Sequence, residues 1–580
     1  MRSRLRAGIS RHRMRTLVLV LLAAWALYVA AVVGLAARDL QQGRRIATAV
    51  AHRGAPALAD GQSSADLRAA RARFQRARDR LHGPALSPVR VVPLLGRQLR
   101  TATAVSSAAA RAATVGAGAV DDGRRILAMP HGDGPQRVAQ VRALASLAAR
   151  TDARLAPLTF GPRGGLLPAV AHARAKIVAQ VAGIRAGLRK GAAGAGAVAD
   201  LLAGPRRYLA FAANNAEMRA GSGMFLSVGE LVTQDGALHL SGMSTVQDVP
   251  VPPGVPLDGD MASRWGWLHP EEEWRNLMLS PRFDASAALA TRMWVASGHA
   301  PVDGVIALDP LTLRAILAAT GPVQVGSLSV SADNVVDELL HGQYLRFPDY
   351  GQRAERRSDL SAIATASVQA LQDRTWSATR LAVGVGGAVR GRHVLLWSSR
   401  PDDEQAWATA GVAGTLQANS LLLSVVSRGG NKLDQYLGVT SGLSLRRVGN
   451  RTEGTVRVTV RNSAPPGEPS VIDGPYPGIG LEENEGDYVG ILSVNLPADA
   501  MQARIDGIPQ LAVAGPDGPT VVVGTQFRLP RGQAQTFVIR FEIPGPHGAI
   551  RLEPSARVPT VQWQAPAHHW DDGIAHLVSW

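Results

Sequence analysis

Leu17 to Ala37 reads LVLVLLAAWALYVAAVVGLAA, twenty-one residues without a charge. As a helix rising about 1.5 Å per residue, this run covers about 31 Å, the hydrocarbon thickness of a bilayer. Arg2, Arg4, Arg6, Arg11, Arg13 and Arg15 precede it with no acidic residue among them. The positive-inside bias then predicts a cytoplasmic N-terminus, a single pass, and everything after Arg38 on the outer face of the cytoplasmic membrane. Trp25 and Tyr28 fall in mid-run, away from an interface, and read as packing residues. A cleaved signal peptide is the competing reading, for which Gly34-Leu35-Ala36 offers a poor small-x-small site. The run exceeds the roughly 7–15 apolar residues of such peptides, which favours a retained anchor.

The rest of the chain must be soluble modules carried by that span, because its mean hydropathy is near zero and no second long apolar run occurs. At 580 residues it is too long for one ordinary core and predicts two to four units. The net charge of +16 is unevenly placed: residues 1–200 hold 32 Lys and Arg against 9 Asp and Glu, and the remainder 30 against 37. A basic segment beside a membrane suits anionic headgroups or an anionic wall polymer within the reach that salt allows. No groove-reading motif accompanies the charge, so nucleic acid is not expected as a partner. Lysine occurs only at Lys176, Lys190 and Lys432, with arginine supplying the other positive charges. With no cysteine, disulfides, thiolate metal sites and cysteine nucleophiles are excluded.

Patterning divides the outer part. Residues 38–205 are rich in Ala and Arg; DLRAARARFQRARDRL places Leu67, Phe74 and Leu81 on one helical face, its arginines reading as a solvated surface. Further helical runs at about 97–118, 135–155 and 168–203 complete a basic stalk or bundle. Strands and helices then alternate over 206–440, including VDGVIALDP closed by Asp309-Pro310 and LTLRAILAATG stopped by Gly321, which predicts an α/β domain. From 441 to 580, apolar and polar residues alternate at period two between Pro and Gly turns, the pattern of a β-sandwich. The expected class is α+β: a cytoplasmic basic tail at 1–16, a transmembrane anchor at 17–37, the stalk, the α/β domain and the sandwich.

NNAEMRAGSGMFLSVGEL (214–231), VDGVIALDPLTLRAILAATGPVQV (302–325), GRHVLLWSS (391–399) and GPYPGIG followed by GDYVGILSVNLP resemble a family of bacterial membrane-anchored proteins, the domain of unknown function 4012 family. That resemblance implies no activity. A more distant one is to the LytR-CpsA-Psr family, extracytoplasmic enzymes that transfer glycopolymers from a polyprenyl-pyrophosphate carrier to the cell wall. It is carried by the Arg219 loop, by DGVIALDPLTLRAILAATGPVQV, and by QYLRFPDYGQRAERRSDLSAIA with Tyr344, Arg346, Asp349, Arg353, Arg356 and Arg357.

A pyrophosphate requires several guanidiniums on its oxygens, since arginine forks onto phosphate and neutralises the leaving group. Arg219, Arg346, Arg353, Arg356 and Arg357 are the candidates, and the amides of the Gly221-Ser222-Gly223 loop are a second anion-binding element. Against this, Arg353 to Arg357 can be an exposed helix start paired with Glu355 and Asp359, and Gly-Ser-Gly turns are common. The resemblance implies Mg²⁺ held by carboxylates, yet Ala-Gly-Ser-Gly follows Arg219 where the transferases carry an Asp. Glu217 and Asp349 are the remaining metal candidates, and no catalytic residue is assigned.

Other signals carry less. Asn214 and Asn215 read as strand-end hydrogen bonders, GVGG at 384–387 lacks the context of a dinucleotide loop, and His568, His569, Asp571 and Asp572 alternate sides in an extended tail. Glu271, Glu272 and Glu273 read as a solvated helix start, and Asp258 and Asp260 as a turn with calcium as the alternative. Two functions follow as expectations. One is a membrane-anchored envelope protein that binds, and in the catalytic version transfers as a phosphotransferase-like ligase, a polyprenyl-pyrophosphate-linked or wall-attached anionic glycopolymer. The other is a non-enzymatic scaffold that docks protein partners.

Overall fold

The computed structural model describes residues 2–58, 61–129, 134–373, 376–476, 484–565 and 568–580. The protein is α+β and divides into two compact units, residues 1–130 with 140–195, and residues 131–139 with 196–580.

The first unit is helical. Helix Arg2–Arg53 runs unbroken through the apolar stretch and well past it. Near the N-terminus it is long and apolar enough to cross a membrane, as an anchor or as a signal sequence. Leu19, Leu21 and Leu27 lie more than half exposed on its surface, as lipid-facing residues would. Of the two aromatic residues expected to pack, Trp25 does, donating from Nε1 to the Ala85 carbonyl at 3.1 Å, whereas Tyr28 is exposed. Helices Gln62–His82 and Pro93–Leu127 pack beside it. Leu67, Phe74 and Leu81 are buried as their spacing predicts, with Ala70 and Ala77 between them. The arginines of that helix are not a purely solvated face. Arg73 (3.2 Å), Arg76 (3.8 Å) and Arg80 converge on the buried carboxylate of Asp39, because an ion lifted from water needs opposite charge around it.

The second unit opens with the hairpin of β1 (Arg206–Arg219) and β2 (Ser222–Gln234), to which β3 (Ala237–Leu240) and β4 (Ser244–Thr245) add on the β2 side. β5 (Gly304–Leu308) lies parallel to β1, β6 (Val323–Val325) and β7 (Leu328–Val330) form a separate hairpin, and β8 (Val394–Ser398) closes the main sheet antiparallel to β5. Only β1 and β5 are parallel in this sheet, so one crossover connection organises it. The crossover carries helix Phe283–Ala296, whose Phe283, Leu289 and Met293 bury against Leu209, Phe211 and Val305. Asp309 ends β5 and caps helix Pro310–Thr320, its carboxylate accepting from the Leu311 (3.0 Å) and Thr312 (3.2 Å) amides, and Gly321 stops that helix at φ +84°. GVGG lies inside helix Ala378–Arg390, where a Cβ on Gly384 would come within 2.8 Å of Ala315.

The remaining strands are β9 (Ser420–Ser427), β10 (Leu437–Val448), β11 (Arg451–Asn462), β12 (Tyr488–Pro497), β13 (Met501–Ile505), β14 (Val513–Asp517), β15 (Thr520–Leu529), β16 (Ala534–Pro544), β17 (Ala549–Leu552), β18 (Gln562–Ala565), β19 (His568–Asp571) and β20 (His576–Ser579). They form two sheets, ordered β13-β16-β11-β10-β18-β19 and β14-β15-β12-β9-β17-β20, whose inner faces share one apolar core. The sandwich therefore begins at Ser420, upstream of the boundary at 441 read from the alternating pattern. Arg557 and Asp434 join it to β1. Both are fully buried, Arg557 Nη1 lies 2.7 Å from Asp434 Oδ1, and the other carboxylate oxygen accepts from the Met218 amide at 2.8 Å. In the tail, Asp572 is taken up by the Ser555 (2.9 Å) and Val561 (2.7 Å) amides, which accounts for its burial.

Candidate functional site

The site starts from an irregularity in β1. Pairing with β2 shifts by one residue between Ala212 and Ala213, which pass over Leu226, reaches Asn214 opposite Met224 and resumes at Met218 opposite Gly223, leaving Asn215, Ala216 and Glu217 bulged out of the ladder. A bulge re-aims the side chains it carries. Asn214 donates to the Tyr344 hydroxyl (2.8 Å) and accepts from the Ala216 amide (2.9 Å). Asn215 donates to Asp309 (3.1 Å) and to the Ala556 carbonyl (2.8 Å), and Asp309 also lies 2.6 Å from Nδ1 of buried His393. Both asparagines are hydrogen bonders, but inside β1 at its bulge and not at a strand end. Gly223 admits the bulge, since a Cβ there would lie 2.5 Å from the Asn214 carbonyl.

Glu217 forms a buried ion pair with Lys432, whose ammonium also lies 3.2 Å from the Gly430 carbonyl. This pair lines a cavity of about 110 Å³. Tyr344 stands in its wall with Lys432 Nζ 5.4 Å and the Arg356 guanidinium carbon 5.9 Å from its ring centre, so two cations face one aromatic quadrupole. Burial, with the Glu217 charge adding to it, pushes the Tyr344 hydroxyl far above the ordinary phenol range, so it stays protonated. Tyr350 and Tyr476 meet edge to face at 5.5 Å on the same cavity, and Arg275 lines it with its guanidinium paired to Glu273. Met224, Leu226, Val246, Leu360 and Val471 supply apolar wall. A smaller void of about 40 Å³ shares Leu226, Ser227 and Leu360 with the first and is lined mainly by Ala212, Ala213, Leu308, Pro310, Leu313 and Leu339. The exposed wall of the first cavity is more apolar than polar, with Lys432, Arg356, Arg275 and Glu217 set among apolar and aromatic side chains.

The residues singled out from the sequence do not assemble as one cluster. Arg219 is buried, and its guanidinium donates to the carbonyls of Arg275 (2.7 Å), Met218 (3.1 Å) and Ser427 (2.7 Å) and to Asn276 (3.3 Å). Burial lowers its pKa to about 10, with the Glu217 charge acting in the other direction, so it stays charged at neutral pH. It is a structural tie and does not line the cavity. Arg346 pairs with Glu338 (2.6 Å) and Asp359 (3.5 Å), again away from the lining. Arg356 does line it, while holding the Phe347 and Asp349 carbonyls from its buried position. Arg353 and Arg357 belong to helix Arg353–Asp373, and their side chains lie outside the described residues. Gly221, Ser222 and Gly223 make the tight β1–β2 turn, with Gly221 at φ +68° against the Arg392 side chain, and none of the three lines the cavity. Of the metal candidates, Glu217 is committed to Lys432, and Asp349 sits on an exposed turn outside the lining.

Lys432 was hidden in the sequence, because no motif surrounds it. The one available signal was compositional: it is one of three lysines in a chain that otherwise uses arginine. An ammonium is more compact than a guanidinium but more strongly hydrated, so its burial here depends on the pairing with Glu217. Glu271 and Glu272 come close to His269, and Glu273 caps the short helix Trp274–Leu279, so the run is only partly the solvated helix start its composition suggests.

Comparison with known proteins gives one family match. Residues 203–344 match the model of a family described as "Protein of unknown function (DUF4012)", which supports the first resemblance drawn from the sequence. The matched segment contains the bulge, Glu217, Asp309 and Tyr344, whereas Arg356 and Lys432 lie beyond it. No curated protein and no solved structure matches the chain.

Proposed function

We propose that this is a membrane-anchored protein of the cell envelope that binds an anionic glycopolymer, polyprenyl-linked or wall-attached, in the chamber around Glu217, Lys432, Tyr344 and Arg356. The observation that carries the reading is the presence of two cations close to the buried Tyr344 ring, in a cavity that Tyr350, Tyr476 and Arg275 also line. Tyrosines present flat apolar faces with a hydroxyl rim, and paired cations attract a phosphodiester or pyrophosphate. The likeness to LytR-CpsA-Psr transferases rests on the sequence pattern alone. Binding fits better than transfer, because the carboxylates that would hold a divalent ion beside the phosphate are not gathered: Glu217 is paired and Asp349 lies elsewhere.

The full-length protein in lipid nanodiscs, titrated calorimetrically with farnesyl pyrophosphate and with a soluble poly(glycerol phosphate), should bind at least one of them. Arg356→Met should weaken that binding about 10- to 100-fold, the worth of a charge-assisted hydrogen bond of roughly 1.5–3 kcal/mol. Arg346→Ala should leave it unchanged. If neither probe binds, or if both substitutions act alike, the ligand reading fails. A scaffold that docks protein partners then takes its place, a reading favoured by the commitment of Arg219 and Arg346 to internal partners.

The arginines before the apolar run support a cytoplasmic N-terminus and an extracytoplasmic bulk. A C-terminal alkaline phosphatase fusion should therefore be active in intact cells, and activity confined to a C-terminal cytosolic reporter would reverse the orientation.

A further inference from the structure

The helical unit carries an apolar surface that its own core does not use. Between helices Gln62–His82 and Pro93–Leu127 the chain turns through Pro84 to Val92, and Val91, Val92, Leu94 and Leu95 are all exposed, Val91 at 80% and Leu94 at 72%. Leu167, exposed as well, is drawn to the same end: Gln98 accepts from its amide at 3.0 Å and donates to the Gly165 carbonyl at 2.9 Å. Exposed apolar residues scattered singly need no explanation, but a run of this kind marks a surface made to be covered.

The apolar helix shows what covers it. Trp25 donates to the Ala85 carbonyl, and Val29, Val32 and Ala36 pack with Leu81, Leu86, Val89 and Leu99. At about 1.5 Å per residue, Trp25 lies about 18 Å inside the end of the apolar run at Ala37. The arginine cluster on Asp39 sits just beyond that end, at the level of lipid headgroups, and Arg80 also donates to the Leu35 carbonyl. Helix Gln62–His82 therefore runs antiparallel to the span and carries its terminal turn past the headgroup plane.

We propose that the Pro84–Leu95 turn is a second membrane element: it inserts Val91, Val92, Leu94 and Leu95, with Leu167 beside them, into the acyl region of the leaflet on the side of the helical unit, next to the spanning helix. The inserted tip fixes the unit against the bilayer, which a single span leaves free to swivel. This rests on the apolar helix residing in lipid.

The chain has no cysteine, so single cysteines can be read without background. Bimane on Val91→Cys, Leu94→Cys, Leu27→Cys and Arg111→Cys of the full chain, in nanodiscs containing brominated lipid, reports depth directly. Fluorescence at 91 and 94 should be lost to the same extent as at 27, with 111 unaffected. Labels at 91 and 94 that behave like 111 while 27 is quenched overturn the insertion and leave the span intact. If 27 is also unquenched, the span itself fails and the insertion with it. Labels at 91 and 94 shielded from both lipid and aqueous quencher identify a protein partner on this surface, and equally overturn the proposal.

Discussion

Arg557→Met should destabilise the protein by about 3–5 kcal/mol, the cost of leaving a buried charge without its partner. Arg557 and Asp434 are both removed from water, and Asp434 further accepts from the Tyr488 hydroxyl (3.2 Å) and the Met218 amide, so this carboxylate ties the sandwich to β1 at the bulge. The loss should depend on pH in a fixed direction. Burial pushes the Asp434 carboxyl above its ordinary value, and Arg557 works against that push. A carboxyl whose folded-state pKa is raised binds its proton more tightly in the native state, so stability falls as pH rises through that value and returns as pH drops. Without Arg557 the carboxyl rises further, and the difference in urea midpoint between the native protein and Arg557→Met should shrink on going from neutral to mildly acidic pH. Asp434→Asn combined with Arg557→Met removes both charges and should show little of that dependence. A difference that stays constant or widens on acidification would mean the carboxylate is solvated in a way its burial denies.

Such a contact also marks where reading a sequence stops. The period-two pattern of RTEGTVRVTVRNS places Val456, Val458 and Val460 inward, and they are fully buried in β11, because a strand with one wet face must alternate. Asp309-Pro310 and Gly321 delimited a helix correctly because capping chemistry is local. SLLLSVVS of β9 is different: it is buried on both faces, so it carries no alternation by which to assign it to the sandwich. The site divides along the same line. Tyr344, Glu217 and Arg356 stood in segments whose pattern drew notice, yet which arginine would face a cavity depends on the β1 bulge and on carbonyls from distant loops. Arg219 was the most prominent candidate, and it is spent on Ser427 and Arg275 carbonyls that no spacing rule connects to it. The Lys432–Glu217 pair joins two modules, and only folding brings them together.

That pair supplies the sharpest test of the chamber. Glu217→Gln removes the negative charge held against Lys432 and should cost the unliganded protein about 3–5 kcal/mol, since the ammonium stays buried without its counter-ion. An anion entering the chamber would replace the lost charge. Farnesyl pyrophosphate should therefore bind Glu217→Gln about tenfold more tightly than the native protein, worth about 1.4 kcal/mol, because it no longer meets a carboxylate competing for the same ammonium. Lys432→Met should do the reverse and weaken binding at least as much, while also destabilising the fold. Thermal unfolding with and without the probe separates the two effects: the variant lacking Glu217 should begin lower and be raised further by the probe than the native protein. A variant that loses stability and is not rescued would show the ion pair to be a structural tie alone, and the chamber would then owe its cations to packing.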